Sequence, residues 1–537
     1  MSDETAYADT FARDRLPPRE LWPEFRFDLP ELQYPTRMNC ATELLDQAVA
    51  DGQGDRPAIF AERITMTYQE LLSEANRIAR VLTEDLGLIT GNRVLLRSPN
   101  SPMLAASWLA VMKAGGIAVT TMPLLRAAEL KQFARKAEIS HALYDDRLAD
   151  DVATAAAETG LLSKRLGFSE LSASARSKSD EFNNVDTLRD DVCLLAFTSG
   201  TTGQPKATMH FHRDVLAMAD VVGRHLLQTQ PEDRFVGSPP LGFTFGLGAL
   251  LVFPLRFRAA AILVETPNPE SLLAAIGKFR ATALFTAPTM YRALMPMLGD
   301  SDISSLNRCI SAGEALPALT SDAWHEKTGI RIIDGIGTTE MIHIFIGASG
   351  DDIRPGATGK PLAAYQACVF DDQDQPLPAG SIGRLAVKGP TGCRYMDDEQ
   401  RQRAYVVNGW NVTGDTYRHD EDGYFWFQAR ADDMIVSAGY NIAGPEVEEA
   451  LLGHDTVAEC AVVASPDEAR GNIVKAFVVL RKGHDPTDAL VKILQDFVKQ
   501  TIAPYKYPRA IEFVDELPKT HTGKVQRFRL RESAAER

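Results

Sequence analysis

Apolar positions along this chain switch repeatedly between helical and strand spacing. Thr67 and Glu70 are spaced as a capping box ahead of Leu71, Leu72, Ala75, Ile78, Ala79 and Leu82, which share one helical face. Val94–Leu96 then reads as a short buried strand, Leu104–Met112 as a helix, and Ile117–Thr120 as a second strand behind Gly115 and Gly116. The alternation resumes at Val192–Phe197, which is expected to run through a loop into a helix carrying Val215, Met218, Val222 and Leu226. Strands alternating with helices predict α/β layers with largely parallel sheets, which place ligands at the carboxyl ends of their strands. After about Gly356 turn chemistry takes over: Asp371–Gln375 parts two apolar runs, and Asp422 with Gly423 forms a hairpin turn between Tyr417 and Tyr424–Phe427. A small β subdomain is expected there. Beyond Arg430–Asp433 a compact α/β tail follows, with a helix near Glu446–Leu452, strands at Cys460–Val463 and Ala476–Leu480, and a helix near Leu490–Ile502. A boundary at Asp432 divides the chain into residues 1–431 and 432–537. Ala149–Ser179, rich in Ala, Ser and polar residues, reads as a surface region.

With 537 residues the chain needs more than one core, and its 45% hydrophobic and 24% charged content is that of an ordinary globular protein. The net charge of −15 argues against a nucleic-acid or anionic-membrane surface, so any anionic ligand must be met by local charge. The six cysteines, Cys40, Cys193, Cys309, Cys368, Cys393 and Cys460, show no CxxC pair and no histidine at metal-site spacing. They read as reduced core residues. The first residues are polar and acidic, and the most apolar stretch, Gly246–Leu255, is short and holds Pro254. A cytoplasmic location is expected.

Chemistry enters with TSGTTGQPK, Thr198 to Lys206. Gly200 and Gly203 let a backbone turn its N–H groups toward an anion, Thr198, Ser199, Thr201 and Thr202 add hydroxyl donors, and Lys206 adds a point charge. A Walker A loop is excluded, because the two glycines stand three apart, Pro205 precedes Lys206 and Ala207 follows it. Four further clusters follow in order: Ser311–Leu316 (SAGEAL), Asp334–Glu340 (DGIGTTE), Thr413–Asp415 (TGD) and Lys519–Lys524 (KTHTGK). Each alone reads as a turn or a solvated surface; their order points to nucleotide chemistry.

Together these clusters resemble the adenylate-forming superfamily of acyl-CoA and aryl-CoA synthetases, carrier-protein adenylation domains and beetle luciferases, over roughly Leu44 to Arg529. DGIGTTEMIHIF (Asp334–Phe345), LGFTFGLG (Leu241–Gly248) and TFARDRLPPRELWP (Thr10–Pro23) look most like benzoate and 2-aminobenzoate CoA ligases. The resemblance implies a large N-terminal α/β domain with parallel sheets and a small β subdomain, plus a small mobile C-terminal α/β domain. It implies ATP, Mg²⁺ and CoA as cofactor and co-substrates, and a small aromatic carboxylic acid as substrate; a homodimer is left open. By resemblance, Thr198, Ser199, Gly200, Thr201, Thr202, Gly203 and Lys206 grip the β- and γ-phosphates, Thr339 meets the α-phosphate, and Glu340 with Thr201 holds the metal. Gly313, Glu314, Asp334, Gly335 and Ile336 frame adenine, while Asp415 accepts the ribose hydroxyls beside Arg430. Ile336 replaces an aromatic residue of many relatives, so aliphatic contact replaces stacking.

Lys524 is implied as the adenylation catalyst, although His521 stands where many relatives have Arg. A swing about Asp432 would withdraw Lys524 and present Ser437–Asn441, with Gly439 and Tyr440, to a tunnel for the thiol. Phe243, Phe245, Gly337, His343 and Ile344 are implied to line the acid pocket. Phe245 stands where benzoate enzymes often have Tyr. His343 reads either as a donor to an ortho group or as a satisfied core histidine, and Arg527, Arg529 and Arg531 as a solvated strand face or a grip on CoA phosphates. Two other readings stay open: loading of a carrier protein instead of CoA, and a nucleotide-binding interaction protein without catalysis.

Overall fold

The computed structural model describes residues 4–198, 205–430, 433–437, 440–467, 471–502, 504–519 and 524–535. Two large sheets build the N-terminal part. In the first, Lys164–Gly167, His141–Tyr144, Arg93–Arg97, Ile117–Thr121 and Val192–Thr198 run parallel, and Lys206–Phe211 closes the edge antiparallel. Arg93–Arg97 and Ile117–Thr121 are buried along their whole length, as strands covered on both faces must be. The helices that cover them form for readable reasons. Thr67 and Glu70 make the expected capping box at the start of Tyr68–Arg80, whose Leu71, Ala75, Ile78 and Ala79 are buried. Pro102–Lys113 begins at Ser101, whose hydroxyl accepts the Leu104 N–H, and is buried nearly all round.

The second sheet has nine strands, in the order Lys360–Pro361, Ile344–Gly347, Ile332–Gly337, Arg308–Ala312, Ala283–Thr286, Arg234–Gly237, Ala260–Ile262, Pro57–Phe60 and Thr65–Thr67. Its centre is parallel, with Ile344–Gly347 returning antiparallel beside Ile332–Gly337. One core, reaching from Leu32 to Phe425, joins the two sheets. The expected β subdomain is a five-stranded antiparallel sheet over residues 366–430, and Gly423, at φ 82°, closes its last hairpin. A separate C-terminal domain packs Gly444–Leu452, Asp488–Thr501 and Arg527–Ala535 on Val457–Asp467, Gly471–Leu480 and Ala510–Phe513, around cores of its own.

Three expectations are corrected. The strand Val192–Thr198 leads not into a helix but into a hairpin: Lys206–Phe211 pairs back antiparallel, with Thr198 opposite Lys206, and the helix starts only at His212. Ala149–Ser179 is not merely surface, since it supplies the edge strand Lys164–Gly167 and buries Val152, Ala155, Leu166 and Leu171. The arginines near the C-terminus lie on a helix, not a strand, where Arg527 pairs with Glu448 at 2.8 Å and Arg531 with Asp433. Among the described residues no helix is long and apolar enough to cross a membrane.

The hairpin is fastened from the other side of the molecule. Asp214 caps the helix start by accepting the Phe211 N–H at 2.9 Å and ion-pairs with Arg394, both side chains being fully buried. Burial drives the Asp214 carboxyl up, and the Arg394 and Arg213 guanidinium charges hold it back. Arg394 also lies over the Phe211 ring, 3.9 Å from its centroid. Removing one partner strands a charge in the core: Arg394→Met is expected to lower the unfolding free energy by about 3–5 kcal/mol. Urea denaturation checks this, and pairing it with Asp214→Asn is expected to lose less than the single change.

Candidate active site

The clusters legible in the sequence lie on loops at the ends of strands that two different sheets contribute. Thr198 and Lys206, both half-buried, stand opposite each other at the mouth of the hairpin. Ser199, Gly200, Thr201, Thr202 and Gly203 lie outside the described residues. The Lys136 ammonium donates to the Pro205 carbonyl at 3.0 Å and holds the returning end of the loop. From the second sheet, Arg308–Ala312 delivers Gly313 and Glu314, and the neighbouring Ile332–Gly337 carries Asp334, Gly335, Ile336 and Gly337.

Gly313 takes φ +90°, a conformation that side chains disfavour, and a Cβ there would stand 3.6 Å from Lys524 Cε and 3.8 Å from Nζ. The C-terminal domain therefore brings its lysine onto the N-terminal strand end. Burial raises the Glu314 carboxyl, with Lys524, then Arg292, Arg527 and Lys519, pulling it back. Another tie crosses the same junction, where Glu449 accepts the free Ala318 N–H at 3.1 Å at the start of the Ala318–Thr328 helix. Burial pushes Asp334 up to about 8 against hydrogen bonds from the Gly335 N–H and the Thr358 hydroxyl. Thr358 is also 3.3 Å from the Tyr417 hydroxyl, and Tyr417 feels the charges of both Asp415 and Asp334, so the adenine and ribose candidates share one neighbourhood.

Asp415 is only 7% exposed and sits opposite Arg430 in the antiparallel pair Trp410–His419 and Phe425–Arg430. The TGD triplet has a structural reason. Gly414, at φ 78°, lies in a bulge where Arg384 and Ala386 face Thr416 and Val412, and the Asp415 N–H is held by the Thr413 hydroxyl at 3.3 Å.

Thr339 and Glu340 lie on a short 3₁₀ turn, Thr339–Met341, capped by the Thr338 hydroxyl. Glu340 Oε1 accepts the Tyr395 hydroxyl at 2.5 Å; the Tyr405 hydroxyl reaches Thr338 Oγ1 at 3.1 Å, and the two tyrosine rings meet edge to face with centroids 5.8 Å apart. The sequence does not disclose that Tyr395 and Tyr405 join this cluster, since each is a single tyrosine in a segment without a motif. Among the described residues no partner is recorded for Glu340 Oε2. A half-buried carboxylate with one oxygen fixed and one open is the donor type a hard divalent cation takes, so Glu340 fits Mg²⁺.

On the acid side, Phe245 lies 5.6 Å from the His343 ring and 6.2 Å from Phe285, and Phe253 closes on His343 at 4.6 Å. Gly248 makes room, because a Cβ there would lie 2.4 Å from His343 Cδ2. Gly337 admits the His343 backbone, because a Cβ on it would strike the His343 carbonyl at 2.6 Å. Phe243 is the half-buried residue that precedes the Thr244–Leu247 helix, and Ile344 is 1% exposed, packed over Gly335. His343 Nε2 lies 3.3 Å from the Phe245 carbonyl oxygen, so Nε2 carries the proton and donates it there. Its donor capacity is thus spent inside the protein, which favours the core-histidine alternative for Nε2 over donation to an ortho group. Nδ1 is left as a buried acceptor with no partner among the described residues, and burial drives the ring down to about 3, so it stays neutral. Asp432 and Gly439 lie outside the described residues; Tyr440 opens the strand Tyr440–Ile442, which pairs with Ile435–Ser437.

The AMP-binding enzyme family matches residues 46–394, and the AMP-binding enzyme C-terminal domain matches residues 446–524. The benzoate–CoA ligase of Thauera aromatica is 33% identical over 512 residues, covering 94% of this chain and 97% of that protein. The mitochondrial acyl-coenzyme A synthetase ACSM3 of Mus musculus is 34% identical over 537 residues, covering 95% of this chain and 92% of that protein. The crystal structure of the anthranilate CoA ligase AuaEII in complex with anthranoyl-AMP superposes with a TM-score of 0.91 at 34% identity, covering 95% of this chain and 99% of that one. The chain belongs to the AMP-binding enzymes of the adenylate-forming superfamily, within their AMP-forming acid–thiol ligases, the acyl- and aryl-CoA ligases. Such ligases use ATP and CoA, typically with Mg²⁺.

Asp334 generates a test. Its folded value of about 8 lies above the ordinary 3.8, so its contribution to stability is fully present below 3.8 and is lost progressively as pH rises to about 8. Asp334→Asn is expected to flatten the fall of Tm across that window in the nucleotide-free protein, as read by thermal melts at stepped pH. Parallel curves for the two proteins would contradict it.

Proposed function

We propose that this ligase is an ATP-dependent aryl-CoA synthetase, acting on benzoate or 2-aminobenzoate type acids in two steps. The observation that carries the reading is the placement of Lys524 over Gly313, beside Glu314. A carboxylate is a poor electrophile because resonance spreads its charge and oxide leaves badly. Attack on the ATP α-phosphate converts it into an acyl-adenylate with release of pyrophosphate, and the CoA thiol then displaces AMP. In the first step two anions must approach; at 4 Å their repulsion is about 4 kcal/mol at an effective dielectric of 20. The Lys524 ammonium touches both and cancels that repulsion. Thr198, Lys206 and the loop between them bind the β- and γ-phosphates, Thr339 the α-phosphate, and Asp415, with its two acceptor oxygens, the ribose diol. Glu340, oriented by Tyr395, and Thr201 hold Mg²⁺, which supplies Lewis-acid stabilisation of the phosphates. Residues 432–537 then swing about Asp432, withdrawing Lys524 and bringing Gly439 and Tyr440 to the thiol path.

Support for an aromatic acid comes from the paired rings of Phe245 and His343, which suit a flat ring. It comes also from the benzoate and anthranilate relatives. The orphaned His343 Nδ1 suits an ortho N–H donor, which 2-aminobenzoate has and benzoate lacks. The second reading, loading of a carrier protein, shares this first step and differs only in the thiol acceptor.

Lys524→Ala is expected to reduce carboxylate-dependent ATP–pyrophosphate exchange by about 10²–10³-fold, the scale of one lost transition-state donor. Exchange that survives would assign the neutralising charge elsewhere. A pyrophosphate-release panel of benzoate, 2-aminobenzoate, hydroxybenzoates, phenylacetate and medium-chain fatty acids, with CoA and a carrier domain as acceptors, tests the substrate. Preference for the fatty acids overturns the aromatic pocket, and thioester on the carrier alone selects the second reading. His343→Leu is expected to cut kcat/KM for 2-aminobenzoate roughly fivefold more than for benzoate, the worth of one hydrogen bond.

A further inference from the structure

Away from the candidate active site, three reactive side chains from separate parts of the chain converge. Cys40 precedes the Thr42–Asp46 turn, Cys193 is the second residue of Val192–Thr198, and His212 begins the helix after the hairpin. Their sulfur and nitrogen atoms lie within 4.8 Å of one another, and all three residues are fully buried. Spacing along the chain gives no hint of this, because the third dimension alone brings Cys40 to the other two.

Hydrogen bonds define the chemistry. The Cys40 backbone N–H donates to His212 Nδ1 at 3.2 Å, so Nδ1 carries the lone pair and Nε2 the proton, which it donates to the Tyr7 hydroxyl oxygen at 3.2 Å. Cys40 Sγ lies 3.2 Å from the same Nδ1, placed to hand over its proton. The Cys193 sulfur lies within 4.8 Å of the Cys40 sulfur. Burial works against ionisation of both thiols, but at Cys40 the neighbouring Cys193 and His212 side chains prevail and lower it, whereas Cys193 is driven up. One sulfur is primed as a nucleophile while its neighbour keeps its proton.

A short segment covers the cluster. Tyr7 lies among Asp191, Cys193 and Cys40, and its neighbours are tied by Thr5 Oγ1 to Asp191 Oδ1 at 2.5 Å, the Ala6 N–H to Asp191 Oδ2 at 3.2 Å, and the Ala8 N–H to Thr90 Oγ1 at 2.8 Å. Asp9 anchors the far end, through its N–H to the Thr90 carbonyl at 2.9 Å, the Asn92 amide at 2.8 Å and an ion pair with Arg93, so it is Thr5–Ala8 that must lift to admit an oxidant.

We propose that Cys40 and Cys193 form a peroxide-sensitive dithiol, with His212 as its base and the Thr5–Ala8 segment as its cover. Cys40 gives its proton to His212 Nδ1, and the thiolate electron pair attacks the nearer oxygen of a hydroperoxide. The O–O bond breaks, the leaving alkoxide or hydroxide takes the proton from His212, and Cys40 becomes a sulfenic acid. Cys193 then attacks that sulfur; the S–O bond breaks, the S–S bond forms, and hydroxide leaves with the Cys193 proton as water. Two thiols are oxidised by two electrons in all, and one hydroperoxide is reduced to an alcohol and water, or to two waters when it is hydrogen peroxide. The bond so formed ties the base of the hairpin strand to the segment before the first long helix.

The test treats reduced full-length protein with hydrogen peroxide, blocks remaining thiols with a maleimide under denaturing conditions, and maps peptides without reduction. The expected result is a Cys40–Cys193 peptide pair two hydrogens lighter than its parts, reversed by dithiothreitol, forming roughly tenfold faster than oxidation at the half-buried Cys368 and Cys460. In Cys193→Ser the Cys40 sulfenic acid is expected to persist and be captured by dimedone. Tyr7→Phe, which keeps the ring and loses the tie to His212, is expected to speed the reaction; a rate equal to wild type overturns the covering role. Recovery of both cysteines as free thiols at a peroxide dose that oxidises Cys368 and Cys460 overturns the proposal. So does stoichiometric zinc in the purified protein, released together with both thiols by a chelator.

Discussion

The buried ion pair of Arg394 and Asp214 is the constraint on which the site's architecture rests. Two charges inside a core are costly to desolvate, and such a pair adds little net stability over apolar residues of the same size. Its effect is positional. Asp214 belongs to the helix that follows the phosphate-loop hairpin, and Arg394 to the segment ahead of Tyr395. Around the pair the backbones join as well, through the Met209 N–H to the Arg394 carbonyl at 2.8 Å and the Met396 N–H to the Ala207 carbonyl at 2.9 Å. Residues 394–396 thus add to the hairpin's outer edge, and Tyr395 reaches from there to Glu340 on the other large sheet. Two segments proposed to act on one polyphosphate are held in register by a strut neither of them contains.

A second source of order is strain. Ile342, between Glu340 and His343, takes φ +66°, where a β-branched residue costs on the order of 1–3 kcal/mol. Its side chain is fully buried in the main core, and that packing holds the conformation. The turn reverses the chain so sharply that Glu340 faces Tyr395 while His343 sits against Phe245 and Phe253. Gly337 and Gly248 complete the arrangement, each occupying a place where a methyl group would strike His343.

What the sequence disclosed follows from how local each signal is. The glycine-rich and acidic clusters are short, and their order survives as a linear pattern, so Gly313, Asp334, Glu340, Asp415 and Lys524 were all legible. The α/β alternation was legible for the same reason. The hairpin was not, although Lys206–Phe211 (KATMHF) alternates polar and apolar residues: the run follows directly on the glycine-rich loop, and its polar members Thr208 and His210 are buried in the structure instead of facing solvent. Ala149–Ser179 misled because its buried face is built from small residues such as Ala155 that composition counts as neutral. Tyr395 and the Cys40, Cys193 and His212 cluster act through partners far along the chain, and no window of sequence contains them.

Charge decides how an acidic chain handles acidic ligands. At −15 overall, the protein would repel a polyphosphate and a carboxylate unless its own acids near them were muted. Burial pushes Asp334 up to about 8 and also raises Glu314, so it works against negative charge on the strand ends that would hold adenine. Against that quieter background a single ammonium counts for more. Lys524 arrives from a separate domain onto Gly313, where a Cβ would stand 3.8 Å from its Nζ. On the proposed mechanism the cation is delivered rather than built in, so the attraction that assembles the first step can be withdrawn before the second. A fixed lysine at that position would leave the thiol to compete with it for the same face of the adenylate.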